Sequence, residues 1–172
     1  ERFLSGLYRF TWWIFHPVCV ALCLATGLAA LLLIAVQYDV FYARLPTMHE
    51  FFDPRSPDKW IYLAVTMAVV KVVHELGHGL SCKHFGGECH EIGFMLLVLT
   101  PCLYCNVSDS WMLPNKWQRA IIGAAGMYVE VVLASIATFV WWFSDRATLV
   151  NNLALNVMFI CSVSTLIFNG NP

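Results

Sequence analysis

Between Val18 and Val36 the chain carries no charged residue, and no other feature limits its fold so strongly. As an α-helix rising about 1.5 Å per residue, this run crosses the roughly 30 Å hydrocarbon core of a bilayer. His16-Pro17 stands before it and Gln37-Tyr38-Asp39 after it, while Phe10, Trp12, Trp13 and Phe15 form an aromatic belt at the entry. Three further stretches read as spans: 60–82, 120–143 (closed by Trp141-Trp142) and 149–168. Hydrophobic residues make up 59% of the 172 and charged residues 12%, against about 25% charged in soluble domains. A soluble fold of this size would lack the polar surface to cover itself, so lipid must cover much of it. A net charge of −1 with no Lys/Arg run excludes a nucleic-acid partner.

The connections are less regular. Residues 39–59 hold many of the acids and two proline-bearing turns, Asp53-Pro54 and Ser56-Pro57, which predicts an exposed loop with a short surface helix within 45–52. Ile92 to Leu99 is apolar but too short to span as a helix, and Pro101 follows it. A membrane-embedded hairpin or re-entrant segment fits that pattern, provided protein or a wet cavity supplies its hydrogen bonds. Asp109-Ser110-Trp111 and Pro114-Asn115-Lys116 lead back to an interface. The expected class is therefore an all-α membrane protein, with about four transmembrane helices and a hairpin or re-entrant segment between the second and third. Lys and Arg near the span ends number five on the N-terminal side and four opposite, which favours an N-terminus inside.

His74-Glu75-Leu76-Gly77-His78 lies at the tail of the second predicted span. Imidazoles at i and i+4 share one helix face, where both can ligate a Zn²⁺, and the intervening Glu can take a proton from water. In a shuffled chain of this composition the pattern would arise with odds under about one per cent. Lys71, His74, Glu75 and His78 all fall within one hydrophobic segment. Ionisable groups cost about 2.5–3.5 kcal/mol each at a bilayer centre, so a functional cluster outweighs packed or pore-facing histidines.

Other residues carry weaker signals. Of seven cysteines, Cys19, Cys23 and Cys161 sit in apolar runs, whereas Cys82, Cys89, Cys102 and Cys105 gather between two spans. Those four are open to packing, to a disulfide or redox role, or to a second metal site. The third span contains Gly123-Ala124-Ala125-Gly126, small residues that let helices approach closely, and Glu130, an acid in an apolar run. Glu130 reads as a partner of Lys71 or His84, or as a ligand or proton relay; Asp109 is a further acid nearby in the chain path. Asn151, Asn152, Asn156, Ser162, Ser164 and Thr165 in the last span read as interhelical hydrogen-bond partners. His49, His84 and His90 have no partner pattern and are expected in loops or interfaces.

From about Trp60 to Pro172 these residues together resemble the site-2 protease family of intramembrane zinc metallopeptidases. The resemblance is carried by HELGHGLSCKHFGGECHEIG from His74, by TPCLYCNVSD from Thr100, by AAGMYVE from Ala124 and by Asn171-Pro172. It is strongest toward bacterial peptide zinc metalloproteases found beside membrane-fusion-type exporters. It implies that His74 and His78 hold one Zn²⁺ per chain and that Glu75 is the general base. It also implies a third ligand, an Asp a few residues beyond Asn171-Pro172. The family's Gly-Pro-x-x-Asn reads Gly126-Met127-Tyr128-Val129-Glu130 here, so Met127 replaces a kinking Pro and Glu130 an Asn that contacts substrate or transition state. Glu130 and Asn171 are accordingly candidates for substrate contact or for support of the metal ligands.

The organisation expected is an interfacial segment at 1–17, a first transmembrane helix and polar loop at 18–59, and a catalytic core at 60–172 that stops short of the third ligand. Glu1 and the ending at Pro172 suggest an excerpt of a longer protein, with no cleavable signal peptide in view. The expected function is an intramembrane zinc metalloprotease, in which Glu-assisted attack of water on zinc hydrolyses membrane-embedded or membrane-delivered polypeptides. The rivals are a non-proteolytic membrane subunit of a peptide export or maturation complex, and a metal or redox carrier built on the four clustered cysteines. Expected partners are the lipid bilayer, a membrane-associated peptide or protein substrate, and export-complex components. The expected location is a bacterial cytoplasmic membrane, spanned several times, with the site near the cytosolic face.

Overall fold

A computed structural model describes residues 2–89, 92–97 and 100–167. In chain order it contains α1 (Arg2–Thr11), a 3₁₀ turn (Trp12–Phe15), α2 (Pro17–Val36), α3 (Tyr38–Arg44), α4 (Met48–Phe51) and α5 (Pro57–His84). Strands β1 (Ile92–Leu97) and β2 (Thr100–Cys105), a second 3₁₀ turn (Ser108–Met112), α6 (Lys116–Phe143) and α7 (Leu149–Ile167) complete it. Helices α2, α5 and α6 are long and apolar enough to cross a membrane, and α7 is apolar over Leu149–Val163. The all-α membrane class expected from the sequence is the class observed. Among the described residues, three helices meet both the length and the apolarity of a span.

Local chemistry explains where the helices begin and end. Pro17 and Pro57 occupy first helical positions, where a missing N–H costs nothing and φ is already helical. That start, with Asp58 in the first turn, extends α5 three residues upstream of its apolar run. At the other end Gly86 adopts a φ of +84°. Its N–H donates to Lys83 O at 3.2 Å and the Gly87 N–H to Cys82 O at 3.0 Å, the two bonds that close a helix through a left-handed residue. Helix α6 begins four residues before the predicted 120 because Asn115 caps it: Asn115 Oδ1 accepts from Trp117 N–H at 2.9 Å.

The chain divides into two compact units. The first comprises Glu1–Leu22 with Val70–Glu130, the second Cys23–Val69 with Val131–Pro172. In the first, the segment expected to be merely interfacial contains a helix, and Leu4 of α1 is only 1% exposed. A Cβ on Gly79 would stand 3.2 Å from Leu4 Cδ1, so α1 packs where α5 has no side chain. His84 ends this packing: its Nδ1 lies 2.9 Å from Tyr8 OH and its ring stacks on Phe15 at 4.4 Å. Strands β1 and β2 form an antiparallel pair with Ile92 opposite Cys105 and Leu97 opposite Thr100. This is the hairpin form of the expected re-entrant segment.

In the second unit Ala137, Trp141 and Ala154 form a buried core, with Phe41 and Leu155 packed against it. The short surface helix expected within 45–52 is α4, but the expectation of a loop over 39–59 needs correction at its start, which belongs to α3. Helix α3 is ordered by Arg44, which donates to Trp142 O at 3.0 Å and stacks over the rings of Trp141 and Trp142, each at 5.2 Å. Asn151 spans a helix junction as anticipated, donating to Trp141 O at 2.9 Å and to Ser144 Oγ at 3.0 Å. Ser162 does not: its hydroxyl donates back to Met158 O within its own helix.

Candidate metal centre

Glycine decides how closely α5 and α6 approach. A Cβ on Gly77 would lie 2.9 Å from Val129 Cγ2 and 3.2 Å from the carbonyl oxygen of Ala125, closer than real side chains tolerate. On either side of Gly77 along α5, His74 and His78 project from one face, as their spacing requires. Their Nε2 atoms lie 3.2 Å apart. Across from them is Gly126 of α6, where a Cβ would collide with Nε2 of both rings. The small-residue stretch therefore does more than seat two helices; it clears the volume onto which both imidazoles converge.

The second nitrogen of the His78 ring indicates which atom carries its proton. His78 Nδ1 is 2.7 Å from Ile122 O, and a carbonyl can only accept, so Nδ1 bears the hydrogen and Nε2 presents a lone pair. His74 is buried, and its Nδ1 stands 2.9 Å from Glu130 Oε1. That contact is close but lacks the alignment of a hydrogen bond, and among the described residues Nδ1 has no aligned partner. Glu130 is fully buried and also receives Lys71 Nζ at 2.9 Å. Of the partners considered from sequence, Lys71 is beside Glu130, while His84 is engaged by Tyr8 and Phe15.

The donor set fits zinc. A tetrahedral ion with Zn–N bonds of about 2.0–2.1 Å places two nitrogen ligands about 3.3 Å apart, which the observed separation matches. His78 Nε2 turns its lone pair toward His74 Nε2, and Gly126 leaves room for a cation at their meeting point. Among the described residues no group of three or more His, Cys, Asp or Glu is arranged to hold a metal, so the pair needs a further ligand. Asn171 and Pro172 lie outside the described residues, as does the side chain of Asp109.

Glu75 is half-buried, and its Oε2 accepts the backbone N–H of Cys105 at 3.1 Å. The carboxylate between the two histidines is thus tied to the last residue of β2. The cysteines cluster at the same end of the hairpin. Cys89 Sγ and Cys105 Sγ are 2.7 Å apart, too far for a disulfide bond of about 2.05 Å. Cys82 Sγ lies 3.8 Å from Glu88 O. The neighbour of Cys105 is Cys89, sixteen positions earlier, whereas the Cys102 side chain and His90 lie outside the described residues. His49 is in the last turn of α4 and exposed. Two contributors escaped the sequence reading: the clearance at Gly126 and the N–H of Cys105. A small residue in the span after the histidine motif was the available signal for the first; a backbone donor leaves none.

Comparison with known proteins gives the family. The family model for peptidase family M50 matches residues 62–170. The chain is 27% identical over 114 residues to a protein of Bacillus subtilis (strain 168) named "Putative peptide zinc metalloprotease protein YydH". That alignment takes in 66% of this chain and 43% of the relative, so the chain spans less than half of the relative's length. No solved structure matches the chain significantly. The family match covers more than half of the sequence and includes both histidines: this chain belongs to peptidase family M50, the site-2 protease family.

Proposed function

We propose that the chain is the catalytic core of an intramembrane zinc metalloprotease, which hydrolyses peptide bonds of membrane-embedded or membrane-delivered polypeptides. One observation carries the reading: the Nε2 atoms of His74 and His78 converge to 3.2 Å opposite a glycine that leaves their meeting point open. Zinc bound there would polarise the scissile carbonyl and lower the pKa of water to about 7. Glu75 takes the proton from the attacking water and delivers it to the leaving amine. The Cys105 N–H holds Oε2 of that carboxylate, which leaves the other oxygen to handle the proton. The family resemblance supports an Asp beyond Asn171-Pro172 as the third ligand.

The hairpin presents the substrate. Cys105 N–H points to Glu75 rather than to its cross-strand partner Ile92, so this pair is of the non-hydrogen-bonded type. It follows that the N–H groups of Ile92 and Phe94 face away from β2, where an extended peptide can pair with them. The substrate is a membrane-associated peptide or protein, and the relative's name supports a peptide. Export-complex components are the expected partners. The balance of basic residues supports an N-terminus inside and a site near the cytosolic face, and the Bacillus subtilis relative supports a bacterial cytoplasmic membrane.

The test uses the full-length protein in detergent or nanodiscs. Glu75→Gln is expected to keep one zinc per chain and to lower peptide cleavage about 10²–10⁴-fold. A wild-type protein that binds no stoichiometric zinc would overturn the reading and leave the non-proteolytic subunit in its place.

A further inference from the structure

Glu130 is a fully buried carboxylate on a membrane-crossing helix, and the water-activating chemistry assigned to His74, His78 and Glu75 makes no use of it. Taking such a group out of water costs several kcal/mol unless charge and hydrogen bonds compensate. Two cationic or proton-bearing groups meet the same atom: Oε1 lies 2.9 Å from Lys71 Nζ and 2.9 Å from His74 Nδ1. Both come from α5, one turn apart, while Glu130 comes from α6. Lys71 is partly exposed, its side chain 29% accessible, while its ammonium head stays on Glu130.

The side of the ring that Glu130 faces is decisive. The atoms that converge on the open volume are the Nε2 nitrogens, and Nδ1 lies across the imidazole from Nε2. A carboxylate on Nδ1 stands behind the ring and cannot share an ion with Nε2 of the same residue. The same arrangement recurs on the other ring, where His78 Nδ1 is backed by Ile122 O at 2.7 Å. Backing of this kind fixes the tautomer and orientation of a metal-binding imidazole and raises its basicity. One histidine uses a backbone carbonyl; the other uses a carboxylate with its own counter-charge.

We propose that Glu130 is a positioning residue, which holds the His74 ring with Nε2 toward the metal, and that Lys71 balances its charge. The proposal rests on the zinc reading above. It assigns to Lys71 and Glu130 one joint role: neither is a ligand, and neither touches the peptide.

The experiment measures zinc affinity by chelator competition in the full-length protein, together with the visible spectrum of the Co²⁺-substituted form. Glu130→Ala is expected to weaken zinc about 10–100-fold and to shift the Co²⁺ bands, while one metal per chain still binds at saturation. Glu130→Gln keeps an oxygen that can accept from Nδ1–H, so it should recover most of the affinity; Lys71→Met should fall between. Ser135→Ala, further along α6 with its hydroxyl donating to Val131 O, should leave both readouts at wild-type values. Zinc affinity and Co²⁺ bands unchanged in Glu130→Ala would overturn the proposal while sparing the zinc reading. Loss of all metal, as severe as in His74→Ala, would also overturn it, by making Glu130 a ligand. Should Glu130→Ala fail to fold, Lys71→Met decides: an affinity equal to wild type refutes the joint role.

Discussion

Cys105 donates its backbone N–H to Oε2 of Glu75 across 3.1 Å, so the end of β2 and the acid between the two histidines move as one. A main-chain donor cannot swing away as a side chain can, and it holds the carboxylate at a fixed place relative to the hairpin. The strand register follows from the same bond. With Cys105 N–H turned toward α5, the donors of Ile92 and Phe94 turn outward on the far edge.

Phe94→Pro therefore separates substrate pairing from metal binding. Proline on an outer edge removes a donor without breaking the β1–β2 ladder. Cleavage of a peptide substrate should fall at least tenfold while zinc content stays at one per chain. Unchanged cleavage would contradict the edge-strand assignment.

Gly126→Ala tests the clearance between the rings. In an ordinary helix this change is favourable by about 1 kcal/mol. Here the new methyl would collide with Nε2 of His74 and of His78, and overpacking of that kind costs about 1–3 kcal/mol. The collision is expected to win: zinc affinity and cleavage fall together, and thermal unfolding of the metal-free protein shifts down or stays level. Wild-type zinc affinity in this variant would place the metal elsewhere.

The sulfur cluster gives an independent check. Cys89 and Cys105 lie 2.7 Å apart beside the hairpin, and Cys82 lies close to Glu88. Replacing Cys82, Cys89, Cys102 and Cys105 together with Ser is expected to leave zinc at one per chain, because the assigned ligands are imidazoles. Loss of metal in that variant would favour a carrier built on thiolates.

Acid should loosen α4 before the rest. Its Glu50 carboxyl is held below its ordinary value, first by the backbone N–H of Thr47 and then by the Thr47 hydroxyl. Thr47 and Glu50 cap the helix reciprocally, with Thr47 N–H to Glu50 Oε2 at 2.8 Å. A lowered folded-state value means the stabilisation is complete above the unfolded value of 4.5 and disappears as pH falls through the lower folded one. Amide exchange at residues 48–52, corrected for intrinsic rate, should accelerate on acidification below 4.5, and Glu50→Gln should remove that dependence. Protection that stays flat with pH would refute it.

How much of this was legible in the sequence differs by residue, for physical reasons. The long helices were readable because bilayer-length apolar runs are a composition signal. Their ends were not, because Pro57 and Asn115 extend α5 and α6 through capping chemistry that apolarity does not report. Helix α3 looked like loop because its order comes from Arg44 against two tryptophans almost a hundred positions away. The i, i+4 spacing placed His74 and His78 on one face. Nothing in the sequence said which nitrogen faced which; that needed Ile122 O and Glu130 in place. Glu130 was open between ligand, relay and ion-pair partner, and the structure puts its Oε1 beside Lys71 Nζ and His74 Nδ1.

The account is tested most directly by counting zinc in the purified full-length protein and in a His74→Ala, His78→Ala double variant. It predicts one zinc per chain in the wild type and none in the variant. A wild type that carries no zinc, or a double variant that retains it, would contradict the account.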